Sequence, residues 1–182
     1  MVEVDRRTTV SHAASRPSAL ARMVAEQALA IGFVAIPGDV VALAKIHFLD
    51  QLGIGLVAAT LPRNRPLAAI ASLFGTGGNS TALGCAAPVT AAAAALRNGT
   101  LMHSLEYDGT HTASIPHAAS VVAPVALAVC EEMGGSGADL LCAFIVGWEV
   151  FVRLGLAAPG SFCTLAGRLM QGSWQHASPR PV

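Results

Sequence analysis

The chain has 182 residues, 53% of them hydrophobic and 12% charged, with a formal net charge of zero at pH 7. That length is enough for one domain with a real core, but the charge is low against the roughly one quarter usual in soluble domains. With no basic stripe and only 5% aromatic residues, nucleic-acid binding is excluded.

The uninterrupted apolar runs, such as the one from Ala118 to Cys130, fall short of the about twenty residues that a spanning helix needs. The opening residues, MVEVDRRTTVSHAASRPS, have no apolar signal-peptide core. The expectation is a soluble, cytoplasmic protein, off the membrane, with surplus apolar surface for a partner chain to cover. Cys85, Cys130, Cys142 and Cys163 show no paired spacing and are expected as buried free thiols.

Residues 1–17 read as a flexible polar tail. Ser18 can cap a helix through LARMVAEQALAIGF, with Leu20, Met23, Val24 and Ile31 as its apolar stripe. Pro37 then marks a helix start, with Asp39 in the favourable first turn. PGDVVALAKIHFLDQLGIGLVAA is apolar nearly all round and is expected to be buried. Pro62 ends it, and a shorter helix follows from about Pro66 to Phe74. GTGGNSTALG is a turn-rich connection with a short extended piece at STALG; it lacks the ending of a phosphate loop.

Pro88 opens an Ala-rich helix through PVTAAAAALRNGTLMHSLEY, and YDGTHTASIPH reads as a loop. HAASVVAPVALAVCEEMG resumes as helix, with a kink expected at Pro124. Ser136 caps the helix GADLLCAFIVGWEVFVRLGLAA, where Glu149 and Arg153 form a favourable i, i+4 pair. Past Pro159 the pattern weakens. With no strand series and no repeat, the fold class is all-α, a multi-helix bundle.

One stretch breaks the apolar pattern. NGTLMHSLEYDGTHTASIPHA, from Asn98 to Ala118, holds three histidines, a Glu and an Asp. If the helix persists to Tyr107, His103 and Glu106 share a face, and Asp108, Thr110, His111 and His117 follow on the loop. A histidine beside a carboxylate can take or deliver a proton near neutral pH. Each group also has a plainer reading: His103 as a capping histidine, Glu106 and Asp108 as solvated acids, His111 and His117 as loop residues. His111 and His117 lack a third metal ligand at a sensible spacing, so no metal is expected. His47 is expected to be structural and His12 idle.

These residues resemble the MmgE/PrpD family. NGTLMHSLEYDGTH with the later His117 is similar to its Asn-Gly and His-Ala-Leu-Asp-Tyr-Asp-Asp-Thr-His signature, which is followed by a further His. LDQLG, STALG and GWEVFVRLG are similar to three more of its motifs, in order, over about residues 18–157. The resemblance implies proton removal next to a carboxylate of a small di- or tricarboxylate, with loss of water, loss of carbon dioxide or re-protonation. Its members include 2-methylcitrate dehydratase, cis-aconitate decarboxylase and iminodisuccinate epimerase. It implies no metal or organic cofactor, and a homodimer.

Carried over by position, His117, Asp108 and Glu106 are the implied catalytic residues. Thr110, His111, His103 and His176 are the implied substrate-binding ones, His176 by a poorer match in GSWQHAS. Gly109 stands where the family has an Asp, and Glu106 is one methylene longer than the family's Asp. The domain reading is a tail over 1–17, an incomplete helical domain over 18–176 and a disordered end over 177–182. The family's α/β lid and later lysines are absent; Lys45 is the only lysine and sits well before the signature. The chain is therefore expected to be weakly active or inactive alone, as a truncated or frame-shifted member. The alternative is a non-catalytic helical module that dimerises.

Overall fold

A computed structural model describes residues 19–73, 75–113 and 117–157, with the backbone alone for 70–72 and 76. Six α-helices and one short strand make up the described residues, in keeping with the all-α expectation. They are α1 (Ala19–Leu29), α2 (Gly38–Thr60), α3 (Leu67–Leu73), β1 (Thr76–Ser80), α4 (Ala91–His103), α5 (Ala118–Glu132) and α6 (Gly137–Ala157). Ser18, Phe74, Cys163 and His176, like the tail with His12, lie outside the described residues.

Helix boundaries follow local chemistry. Pro37 is the N-cap of α2, and Asp39 lies in its first turn. Pro62 follows its C-cap and opens a single 3-10 turn, Pro62–Asn64. Thr90 caps α4 by accepting a hydrogen bond from Ala93 N–H at 3.4 Å. Ser136 and Asp139 cap α6 reciprocally: Ser136 N–H donates to Asp139 at 2.8 Å, and Asp139 N–H donates to the Ser136 hydroxyl at 3.2 Å. The expected Glu149–Arg153 pair forms, with Arg153 Nε donating at 2.6 Å.

The core gathers Ala44, Phe48 and Ala58 of α2, Leu101 and Met102 of α4, Ala123 and Ala126 of α5, and Phe144 of α6. Phe48 and Phe144 meet edge to face with ring centroids 5.4 Å apart, a favourable arrangement of aromatic quadrupoles. Helices α4 and α5 run antiparallel in close contact. Ala93 and Ala94 pack with Ala128 at one end, and His103 meets His117 at the other. Between them, a Cβ on Gly99 would lie 3.3 Å from the Ser120 carbonyl and 3.4 Å from Pro124. Pro124 has no N–H to offer the Ser120 carbonyl four residues earlier, and the α5 helix continues through it.

Several expectations need correction. Helix α2 is buried on one face only; Leu43, Ile46, Leu49, Leu56 and Val57 are exposed. Helix α1 buries none of its residues, with Leu20 and Met23 exposed. The extended piece lies earlier than expected, at Thr76–Ser80, with Ser80 bridging Val89. Glu131 and Glu132 at the end of α5 hold that segment, accepting from Thr81 N–H at 2.6 Å and Asn79 N–H at 3.0 Å. Cys85, Cys130 and Cys142 are free thiols but only half-buried.

By length and composition, α2 and α6 are apolar enough to cross a membrane, at 23 and 21 residues with mean hydropathy 1.6 and 1.9. Counting uninterrupted runs missed this, because Lys45 and Asp50 break the runs of α2 without removing its overall apolarity. Core helices of soluble proteins pass the same test, and both helices place a phenylalanine in the shared core.

Candidate active site

The α4–α5 connection is built where two helix ends meet. Helix α4 stops at His103 rather than running on to Tyr107. Two side chains from the turn after α2 hold this stop. Arg63 Nη2 donates to the Ser104 carbonyl at 3.0 Å, and Asn64 Nδ2 donates to the Ser104 hydroxyl at 3.2 Å. A cation at a helix carboxyl end offsets its unpaired carbonyls. Leu105 turns onto the core, and Glu106 takes φ 55°, the one positive φ among the described non-glycine residues. That left-handed residue costs free energy and marks a sharp reversal. It sends Glu106 outward, its side chain 72% exposed, and leaves the Asp108 side chain at 0%.

Asp108 is the hub. Its Oδ2 lies 2.9 Å from His103 Nδ1 and 3.1 Å from His117 Nδ1, and its Oδ1 lies 3.1 Å from His103 Nδ1. The two imidazoles meet edge to face, 5.0 Å between centroids. Burial pushes the Asp108 carboxyl up. The Ser120 hydroxyl, the His103 imidazole and the positive charge of both histidines outweigh it and hold the carboxyl below the usual carboxylate value. His103 Nε2 faces Glu106 at 3.5 Å, so the expected pair forms without the expected helix. Thr110 Oγ1 lies 3.4 Å from His117 Nε2.

Both histidines stay open to solvent, His103 at 46% and His117 at 35%. They border a cleft of about 780 Å³ that Glu106, Ser120, Val125 and Phe151 also line. The arrangement is two half-exposed imidazoles backed by one buried carboxylate, with a second carboxylate at the mouth. It can move a proton and can hydrogen-bond an anion.

His111 is half-buried on the same loop but is not among the groups that converge on Asp108. The His47 ring meets Trp148 at a tilt of 41°, with centroids 5.3 Å apart. The spacing had offered no third metal ligand, yet His103, Asp108 and His117 bring one donor atom each within 4.8 Å of one another. Those donor atoms are engaged with one another, both imidazoles hydrogen-bonding the carboxylate.

Sequence reading also missed what Asn98 does. It is fully buried, accepts from Leu83 N–H at 2.8 Å and donates to the Thr81 carbonyl at 2.8 Å. Arg97 Nε beside it donates to the Leu83 carbonyl at 2.9 Å. An adjacent Arg and Asn midway along an Ala-rich helix were the available signal.

Fold and site together define an all-α domain carrying a buried-carboxylate, two-histidine centre suited to proton transfer. The model of the MmgE/PrpD N-terminal domain matches residues 18–166, and the chain belongs to that family. A cis-aconitate decarboxylase-like protein, oryM, of Aspergillus oryzae is 32% identical over 133 residues, covering 69% of this chain and 28% of the relative. The cis-aconitate decarboxylase of Aspergillus terreus is 33% identical over 131 residues, covering 69% of this chain and 27% of the relative. The chain thus spans little more than a quarter of the length of these curated relatives. No solved structure gives a significant match.

Proposed function

We propose that this chain carries the N-terminal half-site of a lyase or isomerase acting on small di- or tricarboxylates. The observation that carries the reading is His117, half-exposed at a cleft, with Nδ1 3.1 Å from a buried Asp108. Its other nitrogen takes the proton from a carbon next to a substrate carboxylate. The electron pair left on carbon then delocalises into that carboxylate, and either expels a β-hydroxyl as water or takes a proton back. For loss of carbon dioxide the protonated ring instead gives its proton to the carbon that receives the electron pair of the broken C–C bond. Glu106 and Thr110, exposed beside the cleft, orient the substrate together with His103. His111 on the loop, and His176 outside the described residues, complete the expected binding set. No cofactor is required for this step. We place the protein in the cytoplasm, off the membrane.

Full turnover by this chain alone is expected to be weak or nil. Proton abstraction can be read without it. In D₂O, the methylene protons of cis-aconitate should exchange for deuterium with the purified chain and not with His117→Ala, followed by proton NMR. Equal exchange by both proteins would refute the reading.

A second reading rests on the apolar exposure. Val121, Val125, Val129 and Met133 form an exposed stripe along α5, bordering a groove of about 640 Å³ beside α6. On this reading the chain is a helical module that pairs with a second copy, and the homodimer is its function. Light scattering at the dimer mass with no substrate effect on His117 would favour it; a monodisperse monomer would remove it.

A further inference from the structure

We infer that Asp108 is a positioning residue that fixes the tautomer of His117, so that its unprotonated Nε2 faces the cleft while Asp108 itself never meets substrate. This rests on the reading of His117 as the acid/base group. An ionised carboxylate only accepts hydrogen bonds. Asp108 stays ionised near neutral pH, since its partners hold its carboxyl below the usual value. A ring nitrogen within 2.9–3.1 Å of it must therefore carry the proton, and this holds for Nδ1 of both His103 and His117.

A neutral imidazole has one N–H, so the proton on Nδ1 leaves Nε2 as a lone pair. The two rings then differ in what that lone pair meets. His103 Nε2 faces the Glu106 carboxylate at 3.5 Å. Two acceptors face each other there unless a proton or water comes between them. The neighbour of the His117 ring is instead the uncharged Thr110 hydroxyl, 3.4 Å from Nε2 and 3.5 Å from Nδ1, which can donate as well as accept. Of the two rings, only His103 has a carboxylate set against its Nε2, so His117 is the one placed to offer a base. Asp108, with its side chain at 0% exposure, can act only through the ring in front of it.

The test is histidine tautomer assignment by long-range proton–nitrogen NMR on the full chain with ¹⁵N-labelled histidine. Spectra are taken over a rising pH series until each ring carries a single N–H. In the form that carries a single N–H, His117 should show Nδ1 protonated and Nε2 free. His117 with its proton on Nε2 would overturn the inference.

Asp108→Asn supplies one acceptor and one donor where there were two acceptors, so at least one of the two rings should switch tautomer. Glu106→Gln should leave His117 unchanged. A folded Asp108→Asn protein with both rings as in the parent would also overturn it. Should that variant fail to melt cooperatively, the parent spectrum decides. In the deuterium-exchange assay, Asp108→Asn should lose roughly 10²–10⁴-fold, the usual worth of general base catalysis. The parent tautomer in a chain with no exchange activity would sink the proposed function and leave the positioning role standing.

Discussion

Asn98→Ala is the sharpest test of how the loop before α4 is held. The Asn98 side chain bridges two backbone groups of residues 81–83, each at 2.8 Å. Leu83 is buried, so its N–H would be left without a partner, and Thr81 is exposed, so its carbonyl can turn to water. An unsatisfied buried donor costs about 1–3 kcal/mol, and the lost second bond adds about 0.5–1.5 kcal/mol. A total of about 1.5–4.5 kcal/mol is a large share of a stability of about 5–15 kcal/mol. For a chain of this size each kcal/mol moves the melting point by about 2–4 °C, so a fall of about 3–18 °C is expected. Circular dichroism melts measure it directly. Asn98→Asp sharpens the logic: it keeps the acceptor for Leu83 but turns an oxygen toward the Thr81 carbonyl. It should fall at least as far as the alanine variant. Melting within about 2 °C of the parent for both variants would refute the staple.

Three further outcomes follow from the same geometry. A Cβ on Gly78 would collide with the Val89 carbonyl, so Gly78→Ala should lose about 1–3 kcal/mol in urea unfolding, whereas Gly77→Ala meets no neighbour and is strained only by its φ of 93°. The Asp108 carboxyl is held below its ordinary 3.8, so its stabilisation is fully present above that value and is lost as pH falls through the lower folded value. Melts between about pH 5 and 2.5 should fall more steeply for the parent than for Asp108→Asn; parallel curves would remove that contribution. Zinc at tenfold excess should leave the melting point unchanged, since the His103–Asp108–His117 trio satisfies itself; a rise that Asp108→Asn abolishes would show a metal site instead.

What was legible in the sequence had local causes. Pro37 and Pro62 bound α2 because proline fixes φ and cannot donate within a helix. Ser136 caps α6 because a hydroxyl can meet orphan N–H groups, whereas α4, expected from Pro88, starts at Ala91 behind a Thr90 cap. The site was visible as a concentration of titratable residues in an apolar chain. What stayed hidden had tertiary causes. A helix apolar all round, such as α2, does not say which face meets Phe144. The end of α4 at His103 depends on Arg63 and Asn64, some forty residues earlier. The assignment of depth between Glu106 and Asp108 depends on one left-handed residue that no propensity of Glu foretells.

That single reversal explains why two acids two residues apart do different work. A continued helix would have placed both on its surface. The turn at Glu106 instead delivers Asp108 to the amino end of α5, beside the Ser120 hydroxyl, where the helix dipole favours a negative charge. His103, in the last turn of α4, and His117, at the N-cap of α5, reach the same carboxylate from two sides. Gly99 lets the helices close enough for this, since a side chain there would press on Ser120 and Pro124. The chemistry of the centre is therefore set by the spacing of two helix axes as much as by its titratable groups. A widened α4–α5 contact would separate His117 from Asp108 with every polar residue still in place.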